Sequence, residues 1–221
     1  MLTTARRCEH DRCRSPLLAN ARASFTALGS ATSTVPVQQL AAAAARPDRI
    51  FVVAPKYMLG YVADGVHLTG DGERMLGEYY AKAWRRVLVD GEAWLPVSPR
   101  AVQRDGAVIT VDFIVPAPPL VLDTTLVTDP GTFGFGFGDT SGAAPTIAAV
   151  AIVDDDTVSI TLSAEPVGGN KRLRYAMTGS AGAAAGPTTG ARGNLRDSDA
   201  TVSLAAYPLF NWCVHFDEAV P

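Results

Sequence analysis

The sequence predicts a doubly wound α/β segment followed by an antiparallel β-sandwich. Three observations lead there. Between Thr34 and Leu88 the chain is punctuated as helix, short apolar strand, loop and helix. Helical periodicity then disappears after Trp94-Leu95-Pro96. From there to Pro221, short runs rich in β-branched and aromatic residues alternate with Gly, Pro and Asp.

Composition sets the frame. The chain has 221 residues, of which 48% are hydrophobic, enough for a packed core. A formal net charge of -3 gives no electrostatic case for nucleic-acid binding. The charge is unevenly spread. Residues 1–90 hold 12 Lys+Arg against 8 Asp+Glu, whereas residues 91–221 hold 7 against 14. That shift supports two domains of different character. No apolar run reaches the 18 residues or so of a membrane span, and no apolar segment follows the N-terminal arginines as in a signal peptide.

Residues 1–33 are expected to be a poorly ordered N-terminal segment, polar and without period. Cys8, His10 and Cys13 have metal-like spacing, but a structural zinc takes four ligands. The remaining candidates, Cys213 and His215, stand at the far end of the chain, so no metal site is expected. Three cysteines cannot all pair, which leaves the redox compartment open.

Thr34 is placed to cap a helix with Pro36 in its first turn and Pro47 as its stop. Ile50 to Ala54 is a continuous apolar run after a helix, as in a buried parallel strand. A loop from Lys56 to Val66 carries Tyr57, Tyr61 and Asp64. Thr69 can cap the next helix, whose apolar stripe includes Met75, Leu76, Tyr79, Tyr80, Ala83 and Trp84. These three Tyr and Trp side chains are expected in the core, and Trp94 at the junction between domains.

In the β-region, Val108–Val115, Leu120–Val127, Ile147–Val153, Thr157–Leu162, Lys171–Met177 and Leu209–Phe216 read as strands. Asp154-Asp155-Asp156 reads as a solvated hairpin turn rather than a calcium site, because consecutive residues on a strand face opposite ways. Phe133, Phe135 and Phe137 alternate with glycines and are expected on one strand face in the core. Gly179–Gly190 is a long loop.

The chemistry is concentrated in Asp64-Gly65-Val66-His67-Leu68-Thr69, between the strand and the second helix. A carboxylate three residues before a histidine can fix its tautomer and stabilise the imidazolium, the base-and-orienter part of a serine hydrolase triad. In α/β sheets functional loops follow the carboxyl ends of strands, and this loop does so.

This Asp-x-x-His block, set before a helix late in an α/β segment, resembles the SGNH (GDSL-type) hydrolase superfamily. The fuller string from Pro47-Asp48-Arg49-Ile50 through Pro55-Lys56-Tyr57 to Thr69 is similar to its carbohydrate-esterase branch, which includes sialate O-acetylesterase-like proteins. Members of that branch can carry a β-sandwich after the catalytic domain. The resemblance covers most of residues 34–92, read as the C-terminal portion of an SGNH-type domain, and more loosely the β-sandwich domain at 97–221.

The resemblance implies His67 as general base and Asp64 as its orienter, with no metal or organic cofactor. It also implies a serine in an upstream Gly-Asp-Ser block, together with a Gly and an Asn for the oxyanion hole. No such block precedes Asp64. Gly138-Asp139-Thr140-Ser141 lies downstream in a turn-like setting, and Gly29-Ser30 stands too close for the missing strands and helices. Part of a hydrolase is therefore expected to be absent, and the chain alone is expected to be inactive.

Tyr57 and Tyr61 are candidates to line a sugar-binding rim. The implied partner is an acylated carbohydrate, with no nucleic acid and no membrane span. Association with a missing N-terminal half or another chain is a further expectation. Location stays open, with an extracellular or phage-borne setting compatible with the resemblance. The alternative is a non-catalytic carbohydrate-binding or structural β-sandwich module carrying a hydrolase remnant.

Overall fold

In a computed structural model the described residues are 33–221 and one strand upstream, β1 (Leu17–Asn20). The remaining expectation for residues 1–33, including Cys8, His10 and Cys13, lies outside them. Helix α1 (Val35–Ala45) follows, and then strand β2 (Phe51–Pro55), which pairs in parallel with β1. All five β2 residues are buried.

The first helix is not capped by Thr34. Thr34 is already helical (φ -86°, ψ -13°), so its side chain cannot fold back, and the Val35 N–H donates to Ser33 Oγ at 3.2 Å. Helix α2 (Gly70–Trp84) starts as expected. Thr69 is extended (φ -67°, ψ 163°) and its Oγ1 accepts the Gly72 N–H at 3.1 Å. Asp71 and Glu73 in its first turn and Lys82 in its last suit the helix dipole. Tyr79 and Ala83 are buried and Tyr80 is half-buried. Trp84 is a correction, being 56% exposed. The chain passes there into a π-helical turn, Arg85–Val89, whose wider winding carries the apolar stripe off the core.

The rest of the chain is antiparallel and β-rich. A four-stranded sheet has the order β3–β4–β8–β7, from β3 (Ser98–Asp105), β4 (Val108–Ile114), β7 (Ile147–Asp154) and β8 (Thr157–Leu162). A three-stranded sheet has the order β11–β9–β6, from β6 (Phe135–Gly138), β9 (Arg172–Tyr175) and β11 (Phe216–Ala219). The short pair β5 (Val121–Leu122) and β10 (Leu195–Arg196) completes it. Ile109, Val111, Phe113, Val158 and Ile160 of the first sheet share one cluster with Leu173, Tyr175 and Phe216 of the second. Phe113 and Phe216 meet with ring centroids 6.1 Å apart, and Tyr175 stacks on Phe216 at 5.4 Å.

One expected strand is replaced and another is shortened. Leu209–His215 is extended but threads the core, and its backbone groups are taken one by one: the Cys213 N–H by Leu195 O at 2.9 Å and the Val214 N–H by Val97 O at 3.0 Å. Phe133 leaves the expected aromatic face because it sits in a 3-10 turn with φ 55°; Phe135 alone of the three is fully buried. Asp154–Asp156 does form the turn between β7 and β8, with Asp156 3.1 Å from Arg100.

The helical and β-rich segments share that hydrophobic cluster. Tyr57 donates to Cys213 O at 2.7 Å, Tyr79 to Phe210 O at 2.8 Å, and Trp94 Nε1 to Val52 O at 2.9 Å. Among the described residues no helix is long and apolar enough to cross a membrane.

His215 lies inside this shared core, edge-on to Tyr57 at 5.4 Å, and its Nδ1–H donates to Ala176 O at 2.5 Å. Burial pulls its pKa down to about 4, against a smaller upward pull from the Ala176 carbonyl. A free imidazole titrates near 6.5, so between these values the unfolded chain binds more protons than the folded one. Stability is thus full above pH 6.5 and falls as pH drops, by about 2 kcal/mol at pH 5. Urea unfolding at pH 7.5 and pH 5 checks this; equal stability at both would contradict it.

Candidate active site

The loop that carries Asp64 and His67 leaves the carboxyl end of β2 and closes on itself before α2. Tyr61 and Leu68 form an antiparallel bridge, the Val62 N–H donates to His67 O at 3.0 Å, and the Gly65 N–H donates to Val62 O at 2.9 Å. Thr69 N–H donates to Gly60 O at 2.9 Å, which closes the base of the loop.

Asp64 organises the tip. Its Oδ1 accepts the N–H groups of Val66 at 2.8 Å and His67 at 3.0 Å, and its Oδ2 accepts His67 Nδ1–H at 2.7 Å. One carboxylate thereby fixes the turn and the imidazole together. With Nδ1 protonated, the neutral ring presents Nε2 as the proton acceptor. The His67 side chain is 79% exposed and that of Asp64 47%. The bond to His67, followed by the two backbone N–H groups, lowers the Asp64 pKa to about 2. The same bond, with the Asp64 charge behind it, raises His67 above its ordinary value.

The β-rich segment holds this loop in place. Gly65 has φ +66°, and its carbonyl accepts the Ala185 N–H at 3.2 Å. A Cβ at Gly65 would lie 2.6 Å from Ala184 Cα and Cβ. Gly65→Ala therefore meets both a left-handed backbone and a backbone clash, and is expected to cost at least about 1–2 kcal/mol. Thermal unfolding, with the His67 imidazole signal followed by NMR, would register both the loss of stability and the released loop. An unchanged protein would contradict the docking.

The two tyrosines part company. Tyr57 is a correction: it is fully buried, its hydroxyl donates to Cys213 O and lies 3.4 Å from the Tyr175 hydroxyl, and its titration is pushed far up by that burial. It has no face left for a sugar, because the bulky ring fills the space between β2 and the 212–215 segment. Tyr61 is half-buried, beside the dyad loop and close to Gly186, and its hydroxyl oxygen has no hydrogen-bond partner among the described residues. Burial, helped by the Glu73 charge, raises its pKa.

Among the described residues no hydroxyl is hydrogen-bonded to His67. Ser141 is committed elsewhere, its Oγ donating to Asp139 Oδ1 at 2.5 Å within a turn that also takes the Ser141 and Gly168 N–H groups. Gly29 and Ser30 lie outside the described residues. Also among the described residues, no three His, Cys, Asp or Glu side chains are grouped so as to hold a metal ion. Cys213 is a buried free thiol.

A cleft of about 740 Å³ lies elsewhere. Lys82, Trp94, Asp199, Leu209 and Asn211 are among the residues lining it, and none of Tyr61, Asp64 and His67 is. Lys82 is thirteen residues along α2 from the Thr69 cap, about 20 Å at the helical rise. Its ammonium donates to Leu209 O at 2.7 Å and Asn211 Oδ1 at 2.9 Å and pairs with Asp199 at 2.9 Å. Burial lowers the Lys82 pKa, opposed by the bond to Asp199. Asn211 Nδ2 in turn donates to Asp197 Oδ2 at 2.6 Å. Sequence reading missed this network, since only the proximity of two acids at 197 and 199 hinted at it.

No family model matches the chain, and no curated protein gives a significant match. Among solved structures it is similar to a carbohydrate acetylesterase from Xanthomonas citri, with 17% identity and a TM-score of 0.44 over 76% of this chain and 31% of that one. It is also similar to the N-terminal part of the bacterial S-layer protein SbsC, with 12% identity and a TM-score of 0.34 over 69% of this chain and 29% of that one. The chain spans about a third of the length of each.

Proposed function

We propose that this chain carries the base-and-orienter half of a serine-type ester hydrolase of the SGNH kind, acting on O-acyl groups of a carbohydrate. On this reading residues 34–92 are the C-terminal portion of the hydrolase domain and residues 97–221 its appended β-sandwich. The observation that supports it is the Asp64 Oδ2 to His67 Nδ1 bond of 2.7 Å on a loop at the carboxyl end of a buried strand, with the imidazole largely exposed.

The chemistry runs through Nε2. A serine hydroxyl attacks the ester carbonyl carbon, its proton passes to His67 Nε2, and the tetrahedral intermediate expels the sugar alkoxide, which takes that proton. Water then attacks the acyl-serine, again giving its proton to Nε2, and the serine recovers it as the carboxylic acid leaves. Asp64 stays ionised throughout and stabilises the imidazolium formed in each half. Because His67 must begin neutral, hydrolysis should rise with pH through its raised pKa.

A second reading is favoured by one observation. No hydroxyl among the described residues bonds to His67, whose side chain stands 79% exposed. The chain would then be a carbohydrate-binding or structural β-module with a hydrolase remnant. Acetate release from an O-acetylated polysaccharide separates the two. His67-dependent release supports the hydrolase, whereas binding of the polysaccharide without release, unchanged in His67→Ala, supports the module.

A further inference from the structure

Strand β7 ends the four-stranded sheet with an edge that is chemically unlike the opposite one. The far edge, β3, carries Pro99, Arg100 and Arg104, the residues that discourage edge pairing. From Ile147 to Val153, β7 carries no charge and no proline, reading Ile-Ala-Ala-Val-Ala-Ile-Val. Among the described residues, the backbone groups of Ala148–Val153 have no hydrogen bonds beyond the ladder with β8.

The side chains are also half-finished. Val150 and Ile152 stand opposite Ile160 and Val158 on the core side, yet they are half-buried while their partners are fully enclosed. Ala149 and Ala151, on the outer face opposite Thr161 and Ser159, are exposed. Bulges at Ile147/Ala149 and Ile152/Asp154 confine the regular ladder to the stretch between them.

Within that stretch Ala149-Val150-Ala151 reads alike in both directions. We propose that β7 pairs with β7 of a second copy, antiparallel about a two-fold axis through Val150, to give a continuous eight-stranded sheet. Val150 then meets its own mate on the core side, and Ala149 meets Ala151 on the outer side. Each copy supplies the donors and acceptors that the other lacks, an isologous contact that closes after two chains. No like charges face one another. The pairing is short, below the usual size of a permanent interface, so the dimer should be concentration-dependent.

Sedimentation velocity on the whole chain, from micromolar to near-millimolar concentration, tests this with two variants at exposed positions. Wild type should shift toward twice the mass of one chain as concentration rises. A149K/A151K sets like charges opposite each other across the axis and should remain single. A149K/A151E sets opposite charges there and should dimerise at least as well as wild type, less so in high salt. Circular dichroism confirms that each variant is folded. A wild type that stays single, a lysine pair that dimerises unchanged, or open-ended aggregation in place of a closed dimer would overturn the proposal.

Discussion

With a serine completing the site, Asp64→Asn is expected to lower acyl transfer by about 10⁴-fold while leaving the loop folded, the scale seen when a triad's orienting carboxylate becomes an amide. The amide oxygen can keep the two backbone N–H groups that Asp64 Oδ1 holds now. The amide nitrogen would then face His67 Nδ1 as a donor, where a carboxylate oxygen accepts today. Nδ1 must become the acceptor, the proton moves to Nε2, and the ring can no longer take a proton from serine. The His67 titration should fall back from its raised value at the same time. Steady-state rates with an acetyl ester, beside an NMR titration of His67, report both. A variant with unchanged rate and unchanged titration would remove Asp64 from any catalytic part.

The second large effect concerns stability. Tyr57→Ala should cost about 3–5 kcal/mol, the range for deleting a buried aromatic ring. The ring is fully enclosed and meets Trp212 at 6.2 Å and His215 at 5.4 Å, so its removal opens a cavity between the helical and β-rich segments. Tyr57→Phe keeps the ring but strands the Cys213 carbonyl, and should cost about 1–2 kcal/mol. Urea unfolding measures both. A sugar-facing tyrosine would behave the other way, with stability kept and carbohydrate affinity lost.

The same residue shows where sequence reading stops. Local chemistry was legible: Thr69 caps α2, the apolar run after Pro47 is a buried strand, and the Asp64–His67 spacing makes the expected bond. Each depends on residues a few positions apart. Tyr57 was misjudged because its partners are Cys213 and Tyr175, more than a hundred positions away. Trp84 was misjudged because its periodicity fits α2 up to the point where the winding changes. Leu209–His215 has strand-like composition, but its hydrogen bonds go to Leu195, Val97 and other scattered groups, which no local pattern announces. The cradle around Gly65 belongs to this class, since a glycine in a polar turn does not reveal that Ala184 lies against it.

On the proposed reading His67, held by Asp64, serves as the base for a serine nucleophile. That role is tested most directly with a fluorophosphonate probe, which loses fluoride as an activated serine oxygen bonds to phosphorus. Intact mass and peptide mapping of wild type and His67→Ala give the answer. Where a serine completes the site, one serine is labelled in wild type and none in the variant, which also names the nucleophile. A chain inactive by itself takes no label in either, and a serine labelled equally in both would remove His67 from the chemistry.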